Sequence, residues 1–158
     1  MIRWLVVAAL LLPLVAYAGF DEGVEAYSRN EFDKALAEFK PLAEQGEARA
    51  QYFMGFLYRY GYGVAQSHDE AAKWFRQAAQ QGDARAQYYL GKMYEKGEGV
   101  ERSLVDAHAW FSLSAASAVG SRDAMYAKED IAKLERRMNT EQITQAKERA
   151  KQWKPNTK

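Results

Sequence analysis

The sequence predicts an all-α protein, a solenoid of stacked antiparallel helix pairs. Three observations carry this. Residues 46–81 are followed at once by a second copy, residues 82–117, and at an offset of 36 residues 16 of 36 positions are identical. A fixed period of this length marks a stacked repeat array. Within each copy the shared residues fall at spacings of three and four, which puts them on one helix face. Gly61 and Gly63 in the first copy, and Gly97 and Gly99 in the second, then divide each copy in two. Glycine ends a helix and accepts the positive φ that a side chain resists.

The first helix of each unit carries Ala48, Gln51, Gly55 and Tyr58, which recur as Ala84, Gln87, Gly91 and Tyr94. The second carries Ala71, Trp74, Phe75 and Ala79, which recur as Ala107, Trp110, Phe111 and Ala115. The small residues let two backbones approach closely, and the aromatic ones fill the core. A lone helix pair cannot bury its apolar face, so the units must stack. Truncating one of the large buried aromatics is expected to cost about 3–5 kcal/mol.

These residues resemble the Sel1-like repeat family, relatives of the tetratricopeptide repeats. The first copy matches through Ala48, Ala50, Gln51, Met54, Gly55, Tyr58, Gly61, Gly63, Val64, Ala71, Trp74, Ala78 and Ala79. The second matches through Ala84, Ala86, Gln87, Leu90, Gly91, Tyr94, Gly97, Gly99, Val100, Ala107, Trp110 and Ala115, and departs at Ser114, where the family has alanine. The resemblance implies an α-solenoid that binds other proteins. It also implies that the first helix of each pair lines a concave face.

Along the chain, Arg3, an apolar run over residues 4–15 and Ala16-Tyr17-Ala18 predict a signal peptide, residues 1–18, cleaved after Ala18. The alternative is a retained anchor, but the run holds Pro13 and falls short of the roughly 20 residues a spanning helix needs. Residues 19–45 read as a degenerate first pair, with Gly23, Ala35, Phe39 and Leu42 in tetratricopeptide-like positions. Its turn is Arg29-Asn30, and Asn tolerates the left-handed conformation. Pro41 predicts a kink between Ala37 and Pro41. Glu47, Asp83, Ser67 and Ser103 stand where helices need caps. Residues 118–153 predict two polar capping helices, one from Ser121 to about Met138 and one with Thr140 as its cap. Residues 154–158 read as a frayed tail.

Chemistry is sparse. There is no cysteine, which excludes disulfides, thiol catalysis and a lipidated cysteine. His68 and His108 sit at non-equivalent positions with no third ligand in view, so no metal or other cofactor is expected. The glycine loops lack the Gly-Lys-Ser/Thr that would make them phosphate loops. No catalytic residue and no nucleophile–base pair is expected. Without Arg3, residues 19–158 carry 21 basic and 21 acidic side chains, a balance that argues against nucleic acid as a partner.

The expected function is therefore a non-catalytic protein–protein interaction adaptor of the bacterial cell envelope, exported and periplasmic. The expected partner surface is the set of first-helix side chains not used in packing: Arg49, Tyr52, Phe56, Arg59 and Tyr60, then Arg85, Tyr88, Lys92, Glu95 and Lys96. Arginine offers forked donors to carboxylates, and Tyr and Arg are favoured at binding hot spots. Such a surface suits an acidic or C-terminal segment of another protein. The competing account makes the charged residues solvating pairs and Tyr52 and Tyr88 half-buried packing residues. Two further readings stand beside it. One is a peptidoglycan or glycan binder using Trp and Tyr platforms. The other is a β-lactam-interacting hydrolase, as the resemblance suggests for cysteine-rich exported relatives, whose cysteines this chain lacks.

Overall fold

The computed structural model describes residues 19–118 and 120–155. The expected signal peptide and residues 156–158 of the tail lie outside them. Within the described residues there are eight α-helices and no strand. Residues 19–28 are helical (α1), followed by α2 (Phe32–Glu44), α3 (Ala48–Tyr60), α4 (His68–Gln80), α5 (Ala84–Lys96), α6 (Leu104–Ser117), α7 (Arg122–Glu135) and α8 (Thr140–Gln152). From α2 to α7 each helix packs on the next. The last helix departs from this order, for α8 returns to lie on α6.

One contact sets the spacing within each pair. A Cβ placed on Gly23 would fall 2.6 Å from the ring of Phe39; on Gly55 or Gly91 it would fall 2.7 Å from the ring of Phe75 or Phe111. The three phenylalanines are fully buried. The degenerate first pair thus obeys the same rule as the two recognisable copies. Trp74 and Trp110 are only half-buried, and Trp110 meets Trp153 edge-on at 6.4 Å, just past the end of α8.

A second contact joins neighbouring pairs. Buried Gln51 donates to the Ala43 carbonyl at the end of α2 (3.1 Å), and Gln87 donates to the Ala79 carbonyl at the end of α4 (3.2 Å). Each of these carbonyls also accepts from the turn that follows, from the Gly46 and Gly82 N–H groups at 3.0 Å, so the repeated glutamine is a second donor that ties one pair to the next. The glycine loops add a third joint. Gly63 and Gly99 have φ of 67° and 65°. A Cβ at either would run into backbone at the start of the preceding pair's second helix, at Phe32 and His68 respectively.

The helix ends explain themselves locally. Asn30 takes φ 62° in the α1–α2 turn. Glu47 accepts from the Ala50 N–H, Asp83 from those of Arg85 and Ala86, and Ser67 and Ser103 from those of Glu70 and Asp106. Ser114, the departure from the family pattern, is fully buried, and its hydroxyl donates to the Ala84 carbonyl at 2.8 Å.

Two expectations about α7 and α8 need correction, and α2 carries Pro41 within one helix that runs to Glu44. Ala37 and Pro41 are both exposed, so water can meet the carbonyl that proline leaves without a helical donor. The cap of α8 is Asn139 and not Thr140. Asn139 Oδ1 accepts from the Gln142 N–H (2.9 Å) and Gln142 Oε1 from the Asn139 N–H (3.0 Å), a reciprocal box. Counted from Thr140 the third residue would be Ile143, which has nothing to return. For the same reason α7 stops at Glu135, short of Met138: the chain must be extended at Asn139, with φ −83° and ψ 169°. Met138 still reaches the core from the turn.

The Gly–Phe contact yields a double-mutant prediction. Gly91→Ala should destabilise the protein by about 1–3 kcal/mol through overpacking, and Phe111→Ala by about 3–5 kcal/mol. Combined, they should cost clearly less than their sum, because the Cβ would occupy the space the ring leaves. Additive costs in chemical denaturation would place the close contact elsewhere.

Candidate functional site

The first helices of the pairs share an aromatic spine. Tyr27 of α1 meets Phe56 of α3 (ring centroids 6.0 Å); Phe56 meets Tyr60 (4.6 Å) and Tyr89 of α5 (5.5 Å). Tyr89 meets Tyr88 (5.6 Å), and Tyr88 reaches Tyr126 of α7 (6.5 Å). Tyr62 of the glycine loop stacks on Tyr60 at 5.6 Å. Most of these rings are half-buried, but Tyr60 and Tyr126 are each 42% exposed. The spine thus crosses α1, α3, α5 and α7 and opens to solvent near both ends.

A polar layer lies against it. Asp130 of α7 is buried and gathers Tyr88 Oη (3.0 Å), Lys92 Nζ (3.3 Å) and Lys133 Nζ (3.0 Å). Burial pushes its carboxyl up, but these donors outweigh it and hold Asp130 below the ordinary value of 3.8. Tyr88 is shifted upward, first by burial and then by Asp130. Tyr52 is shifted upward chiefly by burial, and the Arg85 guanidinium lies 4.3 Å from its ring centre.

The ten predicted surface residues therefore divide. Tyr60 is exposed, and Lys96 extends outward with a 3.6 Å contact to Glu98. Arg49 is paired with Glu47 and also lies over the Phe20 ring. Arg85 is paired with Asp83. Tyr52, Phe56 and Tyr88 are half-buried members of the spine and its surround. Lys92 and Glu95 pair with each other, and Glu95 also holds Arg137. Arg59 differs most from expectation: it is 7% exposed and donates to Glu98 at 2.9 Å. Helical spacing alone put Arg59 outside, because the segment that covers it arrives 39 residues later. Tyr126 and Asp130, absent from the predicted set, lie on a helix where the repeat signal fades.

The structure also assembles a group that the sequence did not suggest. His108 is fully buried on α6; its Nε2 lies 3.0 Å from Glu135 and its Nδ1 lies 3.3 Å from Ser112 Oγ. A serine, a histidine and a carboxylate in line invite a catalytic reading. The details favour a brace. Ser112 donates its proton to the His108 carbonyl at 2.9 Å, and it sits mid-helix, where neighbouring N–H groups are spent on the helix and cannot form an oxyanion hole. Glu135 also faces Lys147 at 3.6 Å, so the group ties α6, α7 and α8 together. The histidine–serine spacing of four was readable in the sequence; the carboxylate 27 residues on was not.

Comparison with known proteins supports the architecture. The sequence model of the Sel1 repeat matches residues 48–83 and 84–118. Among solved structures the chain is similar to c5321, a protective antigen present in uropathogenic Escherichia coli strains displaying an SLR fold. The match has 32% identity and a TM-score of 0.79, and covers 87% of this chain and 29% of that one. It is similar also to a Sel1 repeat protein from Oxalobacter formigenes, at 29% identity and a TM-score of 0.66, covering 85% of this chain and 55% of that one. The chain thus spans less than a third of the first and about half of the second. No curated protein sequence matches it.

The carboxylates predict a pH dependence. Glu135 is held below its ordinary 4.5, first by the hydrogen bond from His108 and then, against slight burial, by Lys147. Asp130 is lowered likewise. A depressed carboxylate stabilises the fold above its unfolded value and loses that contribution as pH falls through the folded one. The melting temperature should therefore fall as pH drops below about 4.5. An Asp130→Asn, Glu135→Gln protein should melt lower at neutral pH and show a shallower acid slope. Parallel acid slopes for the two proteins would remove these residues as the cause.

Proposed function

The chain belongs to the Sel1-repeat family, and on that premise we propose that it is a non-catalytic adaptor, binding a partner protein along the face formed by its first helices. Sel1 repeats generally mediate protein–protein interaction. The aromatic spine is the observation that carries the reading to this face. It presents rigid rings, which give contact area at low entropic cost, and its open ends at Tyr60 and Tyr126 leave anchors for a ligand. Arg85 and Arg49 flank it with paired but half-exposed guanidinium groups.

The working compartment in this proposal is the periplasm. It is supported by the signal-peptide pattern over residues 1–18. Expressed from its own start with a C-terminal tag, the chain should appear in the osmotic-shock fraction beginning at Gly19. A chain beginning at Met1 and pelleting with membranes would mean that the leader is kept as an anchor.

The binding face is tested by affinity capture from envelope extract. Tyr60→Ser and Tyr126→Ser change exposed rings and should alter stability by no more than about 1 kcal/mol. A protein captured by the native chain should be lost or reduced at least about tenfold with the double variant, since two anchoring aromatics together carry 2 kcal/mol or more. Equal capture by both would move the site off this face. Retention by peptidoglycan instead of any protein would favour the glycan reading.

A further inference from the structure

Arg59 is an arginine where the repeat does not call for one; the equivalent position in the next copy is Glu95. Its side chain is 9% exposed. Nη2 donates to Glu98 at 2.9 Å, while Nη1 is shut off from solvent and has no hydrogen-bond acceptor. Guanidinium offers five N–H groups in a planar fork, and a buried donor without an acceptor demands a reason.

The surroundings supply one. The guanidinium carbon lies 5.7 Å from the centre of the Tyr60 ring and 5.5 Å from that of Tyr89. Their π-faces partly replace water around the cation without accepting a directed hydrogen bond at Nη1. Glu98 answers both Arg59 (2.9 Å) and Lys96 (3.6 Å), so two cations share one carboxylate. Of the two rings beside Arg59, Tyr60 is the exposed one, and it stacks on Tyr62 with an interplanar angle of 24°. The guanidinium therefore has an unused donor, a carboxylate that it shares with Lys96, and an exposed ring, Tyr60, beside it.

We propose that Nη1 of Arg59 receives the C-terminal carboxylate of the partner, and that the partner's last side chain is large and apolar and lies on the Tyr60–Tyr62 stack. The inference rests on the first-helix face being the docking face and names what docks there. A single anion would give Nη1 the acceptor that Glu98, bound at Nη2, does not supply. A terminal residue holds its carboxylate two carbons from its ring, which suits a guanidinium whose central carbon lies 5.7 Å from the Tyr60 ring centre. An internal acidic residue would carry its carboxylate on one stem and the apolar group on another.

The probe is N-acetyl-phenylalanine, with its primary amide as the matched control, titrated into the isotope-labelled full chain and followed by NMR. The free acid should shift the Arg59 Nε–H signal and the Tyr60 and Tyr89 ring signals, saturating on the order of 1 mM, a normal efficiency for so small a ligand. The amide should bind at least about tenfold more weakly, the loss of one charge-assisted hydrogen bond. Glu98→Gln keeps an acceptor for Nη2 and removes a competing negative charge, so it should tighten the acid and leave the amide unchanged. Arg59→Gln should abolish the difference between them; if that variant does not fold, the Glu98→Gln comparison decides. Equal binding of acid and amide, no response at Arg59, or no tightening in Glu98→Gln overturns the proposal. None of these outcomes bears on capture of a protein through Tyr60 and Tyr126, which fails or succeeds separately.

Discussion

Everything in this molecule is built outward from a glycine facing a phenylalanine. At Gly23, Gly55 and Gly91 the opposing ring occupies the volume of a missing side chain. That contact fixes how closely the two helices of a pair lie, and so the height of each layer. Dispersion and burial favour the ring in this slot, and no other residue type leaves room for it. The glutamine stitch and the glycine loop can then repeat at a fixed offset, because the layers they join are of equal height. The aromatic spine depends on the same regularity: Phe56 and Tyr89 meet across layers because α3 and α5 are held parallel in register.

The fold was legible because its determinants are local and periodic. Glycine, alanine and aromatic positions recur at one interval, and each performs the same task in each layer. Even the first pair, which lacks the long glycine loop, kept Gly23 opposite Phe39. What could not be read were contacts made once. Arg59 meets Glu98 and the Tyr89 ring, both from the next layer, and nothing in its own helix signals this. His108, Ser112 and Glu135 converge only because α7 folds back on α6. The ends of α7 and α8 turned on a choice between Asn139 and Thr140, adjacent residues of similar capping power, which Gln142 settles in favour of the first.

The predicted surface and the observed one differ in an instructive way. Helical spacing identifies residues that leave the pair's own core, but in a stacked array many of these enter the next interface. Tyr52, Phe56 and Tyr88 are of this kind. They are packing residues on one edge and accessible on the other, which is how a solenoid lines a face with aromatic groups without exposing a large greasy patch. The charged residues follow the same logic: Asp130 and Glu95 spend their charge across layers, and Lys92 divides its charge between them.

The return of α8 to α6 has a further consequence. Helix α6 is enclosed by α5, α7 and α8, whereas α7 rests mainly on α6 and lightly on α5. Resistance to opening is therefore graded along the chain. The middle layers can exchange their amide hydrogens only when most of the array comes apart, while lifting α7 breaks the Asp130 and Glu135 clusters and exposes Ala127 and Leu134, which share a core with Ala107 and Phe111 of α6. One end of the aromatic face thus sits on a helix outside the enclosed α6, so a ligand engaging Tyr126 would be felt as slowed exchange in α7.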